Sequence, residues 1–321
     1  MKKPKVSVII PVYKVEQFIE RCCRSLFEQT LDRIEYIFIN DCSPDKSVDI
    51  IKKTLKDYPN RQQQVRVINH VDNQGVTKSR EEGNQLAKGE YLIHCDSDDW
   101  LDKEAYEIMY SEGEKNNADI VCCNYIVSGE SEVLCKYSIT EETKKNLSFS
   151  IQPLYGAVWN KLIRKNLYIE NDVHFFEGIN MSEDLGLILR LRFFSKKTII
   201  INKPLYYHSD DNTNSIVNNF TIEKCLQIVE CVKKLELFFK GQNVENKYFL
   251  QLQYLKYQSK QMLLFNQSVR NIEKWKSIFP ETHKYIWKFN ESPLNNRVVA
   301  WLLYRKMPLV AKFLLFTRDN I

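Results

Sequence analysis

Blocks of apolar residues alternate with helical-period segments through the first 127 residues. Val6-Ser7-Val8-Ile9-Ile10 is an apolar run closed by Pro11 and predicts a strand. Residues 15–29 carry Phe18, Ile19, Cys22, Leu26 and Phe27 at helical spacing. A second strand is expected over 34–39, ending at Asn40-Asp41, and Asp45 is a candidate N-cap for a helix running to about residue 57. Residues 65–68 predict a third strand. Gly75 opens a helix that runs through Leu86 and stops at Gly89. Tyr91-Leu92-Ile93-His94-Cys95 reads as a buried fourth strand, 103–116 as a helix, and 119–127 as a fifth strand. Strand and helix alternating at this spacing predict a parallel sheet with helices on both faces.

The alternation stops near residue 130. Residues 130–150 are polar and read as a loop or irregular excursion. Residues 157–166 form an apolar-to-basic element, 183–194 a helix, and 198–201 and 205–208 two short strands. Beyond Phe220 the pattern turns helical, with long runs over 221–239 and 248–265. A domain boundary is expected near residue 218, between a first domain over 1–218 and a helical region over 219–321.

Composition narrows the function classes. Hydrophobic residues at 44% and charged residues at 27% are ordinary for a globular protein. A net charge of +5, with Lys and Arg spread along the chain, does not describe a nucleic-acid protein. The nine cysteines include the adjacent pairs Cys22-Cys23 and Cys122-Cys123, which do not make CxxC metal knuckles. Cys23, Cys95, Cys122 and Cys123 sit in apolar runs and read as small core residues of a protein in a reducing cytosol. The start leads directly into a strand, without the pattern of a signal peptide. No stretch of 18 apolar residues predicts a transmembrane helix. Residues 298–316 come closest, rich in Leu, Phe and Trp but interrupted by Arg305, Lys306, Pro308 and Lys312. That segment reads either as a basic amphipathic surface for an anionic membrane or as a helical pair packed on the protein.

The chemistry gathers beyond the strand ends, where ligands bind in open α/β sheets. Pro11-Val12-Tyr13 follows the first strand, Asp41 the second, and Asp96-Ser97-Asp98-Asp99 the fourth. A buried strand ending in three carboxylates needs a reason, since crowded carboxylates repel and are costly to desolvate. Asp96 and Asp98 point to one side of an extended chain and can share a hard divalent ion. The plainer reading of the run is a solvated turn or a helix N-cap. No GxGxxG follows the first strand, so a dinucleotide site is not expected.

These segments together resemble the large family of inverting nucleotide-sugar glycosyltransferases known as family 2, of the bacterial polysaccharide type. The resemblance lies in residues 6–13, Asn40-Asp-Cys-Ser-Pro-Asp45, Asn73-Gln-Gly-Val-Thr-Lys-Ser-Arg80 with Asn84, and residues 89–99. It continues through Trp159-Asn-Lys161, Ser182-Glu-Asp184 and Pro204-Leu-Tyr-Tyr-His208. It covers about residues 4–217, and Cys42-Ser43-Pro44 departs from the Gly-Ser-Thr of many relatives. The implied fold is GT-A, a Rossmann-like, mostly parallel sheet flanked by helices, here with a helical C-terminal extension. The implied donor is a UDP-sugar and the implied acceptor a glycan or lipid-linked saccharide.

Roles follow from the resemblance, each beside a plainer alternative. Asp41 would accept from the uracil N3–H, or be a turn residue. Pro11 and Tyr13 would shape the base pocket, or pack the strand end; Val12 and Glu16 join them in the donor-binding group. Arg80 would reach the diphosphate, or be a solvated helix residue. Asp98 would ligate Mn²⁺ or Mg²⁺, and Asp96 would share it or hold the ribose. His208 would be a third ligand, or structural, and Asp99 a cap on the following turn. Asp184 would be the general base that deprotonates the acceptor, with Glu183 second; both could instead favour the dipole at a helix start. Trp159 would line a sugar pocket and Lys161 be structural. Two rivals stand beside this reading, a sugar nucleotidyltransferase and a non-catalytic, membrane-associated scaffold.

Overall fold

The computed structural model describes residues 3–128, 132–135, 156–212 and 220–319. The polar stretch at 130–150 lies outside these residues except for 132–135, and so does the expected boundary at 218. The chain divides into two compact units, Met1–Asn214 and Ser215–Ile321.

The first unit is built on nine strands among its described residues. These are β1 (Val6–Val12), β2 (Ile34–Asn40), β3 (Val65–Asn69), β4 (Tyr91–His94) and β5 (Trp100–Leu101), then β6 (Ile120–Ser128), β7 (Val133–Cys135), β8 (Lys161–Arg164) and β9 (Thr198–Ser209). They form one sheet in the order β3-β2-β1-β4-β8-β6-β9-β5, with β7 beside β6. The β3-β2-β1-β4 half is parallel, and β8 joins it antiparallel to β4. β1 and β2 are buried along nearly their whole length, which explains why they read as continuous apolar runs.

Alternate side chains of β1 serve two cores. Val6, Val8, Ile10 and Val12 pack with helix α1 (Ile19–Phe27) on one face. Ile9 packs in a second cluster on the other face, with Ile37, Ile39, Leu187 and Ile188. Helices α2 (Ser47–Leu55) and α3 (Val76–Leu86) follow β2 and β3, and α4 (Ala105–Asn116) follows β5. α3 lies so close to β1 that a Cβ at Gly83 would collide with the Ile9 side chain. Farther on come α5 (Lys165–Glu170) and α6 (Glu183–Phe194).

The two short strands expected over 198–208 are one strand, β9. The polar Asn202-Lys203-Pro204 break in the pattern is absorbed by register shifts against β6 around Asn124. There the Asn124 amide donates to the Asn202 side-chain carbonyl at 2.8 Å, so pairing continues past the irregularity.

The second unit is helical. It contains α7 (Ile222–Gly241), α8 (Phe249–Ser259), α9 (Met262–Phe265), α10 (Ile272–Ser277), α11 (Leu294–Tyr304) and α12 (Pro308–Asp319). The long run expected over 248–265 is broken at Lys260. That side chain turns inward and donates to the carbonyls of Ile278 at 2.5 Å and Phe279 at 3.1 Å. The apolar stretch over 298–316 is likewise two helices, parted by Lys306 at φ 60° and restarted by Pro308 in the first turn. Among the described residues no helix is long and apolar enough to cross a membrane. All nine cysteines are free thiols.

Candidate active site at the strand-end rim

Because β1, β2 and β4 are parallel, their carboxyl ends open on one rim. Val12 pairs with Asn40 and Ile9 with His94, so the residues just past these positions are neighbours. The Asp41 N–H donates to the Val12 carbonyl at 3.0 Å. Val12 is buried and Tyr13 is exposed, with the Lys14 ammonium 5.2 Å from its ring centre. Pro11 is the partner of Ile39 inside the sheet. Glu16 accepts from the Lys46 N–H at 3.0 Å, while its own N–H donates to Asp45 at 3.0 Å. Asp45 also accepts from the Ser47 N–H at 3.1 Å, but it is not the N-cap expected of it: α2 starts at Ser47, so the cap position falls on Lys46, and Asp45 closes the turn before it.

The buried Asp41 carboxylate organises the 70–75 loop. Its Oδ1 accepts from the Gln74 N–H at 2.7 Å and meets His70 Nδ1 at 2.8 Å. Its Oδ2 accepts from the Gly75 N–H at 2.8 Å. Gly75 sits at φ 89°, a left-handed conformation that glycine adopts at little cost. A carboxylate has about four acceptor positions, so one on Oδ2 stays open for a further donor. His70 reaches across to Glu82 as well, with Nε2 2.7 Å from Oε2. Burial pulls the imidazole down, but the two flanking carboxylates prevail and hold it raised. A protonated ring there donates to both. Sequence reasoning missed His70 because a lone His past a strand end carries no spacing signal.

The acidic run divides its work among three residues. Asp96 Oδ1 accepts from Arg80 Nη2 at 2.7 Å, and its N–H donates to the Tyr206 hydroxyl at 3.2 Å. Asp98 accepts from the Asn212 amide at 2.7 Å. Burial, and then the Asp96 charge, push the Asp98 carboxyl up. Asp99 is not the turn cap expected of it. It is fully buried, and it accepts from the Tyr206 hydroxyl at 2.6 Å and the Ser209 N–H at 2.7 Å. His208 Nδ1 lies 3.1 Å from it. The carboxylate thus fastens the end of β9 to the acidic loop, where a solvated cap would have had only its own turn to serve. Burial raises the Asp99 carboxyl, while Asp99 holds the His208 ring raised against burial. Trp159 continues this layer, stacked on Tyr206 at 4.5 Å and on His208 at 5.4 Å between ring centres.

Arg80 links the acidic run to Glu183. Its Nη1 donates to Glu183 and its Nη2 to Asp96, so both prongs of the guanidinium are engaged with carboxylates. Burial alone would lower Arg80, but Asp96, Glu183 and Asp184 hold it raised. Its Nε–H is buried with no hydrogen-bond partner among the described residues. Glu183 and Asp184 open α6, where the first turn favours negative charge. Burial pushes both carboxyls up, Arg80 opposes this, and each is also raised by neighbouring acids. Lys161 is fully buried, donates to the Ala157 carbonyl at 2.6 Å, and is lowered by burial to about 8.

The structure therefore brings Arg80, Asp96, Glu183 and Asp184 into one electrostatic group, with Asp98, Asp99 and His208 adjoining it. Asp41 stands in a neighbouring group with Val12, His70 and Gly75. Among the described residues no three His, Cys, Asp or Glu side chains are gathered closely enough to hold a metal ion. The donor chemistry nevertheless fits a hard divalent cation. Asp98 is buried, a neutral amide is its hydrogen-bond partner, and a second carboxylate two residues away raises it further. A cation would neutralise that charge. A groove of about 590 Å³ opens beside Arg21 and Trp100, but none of the rim carboxylates lines it.

Comparison with known proteins bears on the family and the fold. The Bacillus subtilis (strain 168) protein named uncharacterized glycosyltransferase EpsJ is 32% identical over 225 residues, covering 66% of this chain and 63% of that protein. The chain thus spans a little under two thirds of that relative's length. The cholesterol galactosyltransferase of Borreliella burgdorferi is 29% identical over 273 residues, covering 78% of this chain and 74% of that protein. Among solved structures, S. aureus TarS 1-349 in complex with UDP superposes with a TM-score of 0.64. That match has 20% identity and covers 97% of this chain and 83% of that one. It shows the GT-A fold. The model of glycosyl transferase family 2 matches residues 7–172, more than half of the sequence, and the chain belongs to that family.

Proposed function

We propose that this chain is an inverting glycosyltransferase. It moves a sugar from a UDP-sugar to a hydroxyl of a glycan or lipid-linked acceptor in cell-surface polysaccharide assembly. The observation that carries the reading is the junction of Asp96 and Glu183 through Arg80, which joins an acidic loop at a strand end to a pair of carboxylates on a separate helix. The TarS structure that shares this fold contains UDP.

In this reading Asp41 accepts the uracil N3–H on its open Oδ2 position, with Pro11, Val12, Tyr13 and Glu16 forming the wall around the base. Asp98 would hold Mn²⁺ or Mg²⁺, and Asp96 and His208, which are not gathered closely enough around it as they stand, would draw in to share it. The ion would neutralise charge on the leaving diphosphate. Arg80 keeps Asp96 and Glu183 in place and has its Nε–H left for the donor. Asp184 takes the proton of the acceptor hydroxyl. The freed oxygen bonds to the anomeric carbon as the bond to the UDP oxygen breaks on the opposite face, so the configuration inverts. A carboxyl raised toward neutrality by burial is suited to accepting a proton near neutral pH. The reading places the enzyme at the cytoplasmic face of a membrane, where UDP-sugars meet lipid-linked acceptors.

Release of UDP from candidate UDP-sugars, with Mn²⁺ and an acceptor extract, is the test. Acceptor-dependent UDP release from one donor is the expected result. A folded protein that binds no UDP in the presence of Mn²⁺ contradicts it.

A further inference from the structure

The last helix of the second unit is apolar on two opposite sides. Ala311 and Leu315 of α12 are buried. Leu309, Phe313 and Phe316 are 82%, 64% and 66% exposed. At 3.6 residues per turn these three fall within one arc of about 60°. A helix packed on a globular body ordinarily turns polar residues outward, so an outward stripe of Leu and Phe marks a surface that meets something apolar.

Charge indicates what that surface meets. Between Pro293 and Arg318 there is no Asp or Glu, while Arg297, Arg305, Lys306, Lys312 and Arg318 are all basic. Arg305, Lys306, Lys312 and Arg318 are exposed. Lys306 and Lys312 have no ion-pair partner among the described residues. The acid that follows, Asp319, is bound by both prongs of Arg270 at 2.6 and 2.9 Å, so its charge is already matched. An apolar stripe fringed by unmatched positive charge is complementary to an anionic lipid surface. A second copy of the chain fits less well, because a two-fold contact would set this basic patch against itself.

We propose that α12 docks the protein on an anionic bilayer, with Leu309 and Phe313 entering the headgroup boundary and Lys306 and Lys312 facing lipid phosphates. The contact would bring a soluble donor and a membrane-held acceptor to one enzyme. It is independent of the transfer chemistry, since a chain that transfers no sugar could still dock.

Flotation of the full chain with lipid vesicles tests this. The protein should float with equimolar phosphatidylcholine–phosphatidylglycerol vesicles and stay behind with phosphatidylcholine alone. Leu309→Ser with Phe313→Ser should lose vesicle binding, and Lys306→Glu with Lys312→Glu should weaken it by at least about tenfold. Unchanged melting temperatures would show that these exposed changes leave the fold intact. Failure to float on anionic vesicles, or flotation that the Leu309/Phe313 variant retains, overturns the proposal. A dimer in sedimentation that the same variant abolishes would assign the stripe to contact between copies instead.

Discussion

Two buried cations, Arg80 in the first unit and Lys260 in the second, show what separates a site from a structural seal. Arg80 lies between the carboxylates of Asp96 and Glu183, with Asp184 acting on it as well, and is held firmly charged. Lys260 donates to two backbone carbonyls and to the neutral His283 ring at 2.9 Å, and burial brings it down to about 7. The lysine ends a helix and closes a gap between α8 and the residues after α10. The arginine holds together acids from two separate elements, and two more rim acids, Asp98 and Asp184, make no ion pair of their own among the described residues. Surplus buried charge marks the place where a charged ligand is handled. Charge met by neutral dipoles serves the fold.

The largest expected effect lies within the surplus acids. Asp184→Asn should lower the transfer rate by about 10²–10⁴-fold while UDP binding stays intact. Glu183→Gln should cost less transfer and more stability, because Arg80 then loses a charged partner. Single-turnover transfer and denaturant unfolding of the two variants separate the roles, and an active Asp184→Asn would move the base to Glu183.

Next come the cations themselves. Arg80→Met leaves Asp96 and Glu183 uncompensated and should cost about 3 kcal/mol or more of stability. Lys260→Met removes a cation whose partners are neutral and should change stability by only about 1 kcal/mol. Urea midpoints of the two variants decide this, and equal losses would erase the distinction. His70→Gln keeps a donor toward Asp41 but loses the charge, and should weaken donor binding by about 1.5 kcal/mol with little change in the chemical step. The KM for the donor set against kcat is the readout.

The smallest effect is a pH dependence. Lys260 titrates near 10.5 when unfolded and near 7 when folded. Between those values the unfolded chain carries the extra proton, so burial of the lysine costs most below pH 7 and less as pH rises. The Lys260 contribution should therefore raise stability by about 1 kcal/mol from pH 7 to pH 8. Lys260→Met should flatten that part of the melting profile, and an unchanged slope would place the effect elsewhere.

Much of the first unit was legible because its physics is local. Apolar runs such as Val6–Val12 and Ile34–Asn40 are buried on both faces, and helical spacing over 183–194 reproduces α6. Less legible were features that depend on contacts far along the chain. Asp99 reads as a turn residue until Tyr206 and Ser209 come against it from β9. The expectation for Arg80 is a diphosphate contact, and its own segment gives no sign of the two carboxylate partners that lie 16 and 103 residues away. The break in the run over 248–265 arises from carbonyls of Ile278 and Phe279, which no local window contains. His70 gains its role only from Asp41 and Glu82 on either side.

The central claim is that the rim divides into a half that holds the leaving diphosphate and a half that takes the acceptor's proton. Calorimetric titration of UDP with Mn²⁺ into Asp98→Asn and Asp184→Asn tests it most directly. The account predicts that Asp98→Asn loses metal-dependent UDP binding and that Asp184→Asn binds UDP like the parent. Equal binding by both variants, or loss in Asp184→Asn alone, would contradict it.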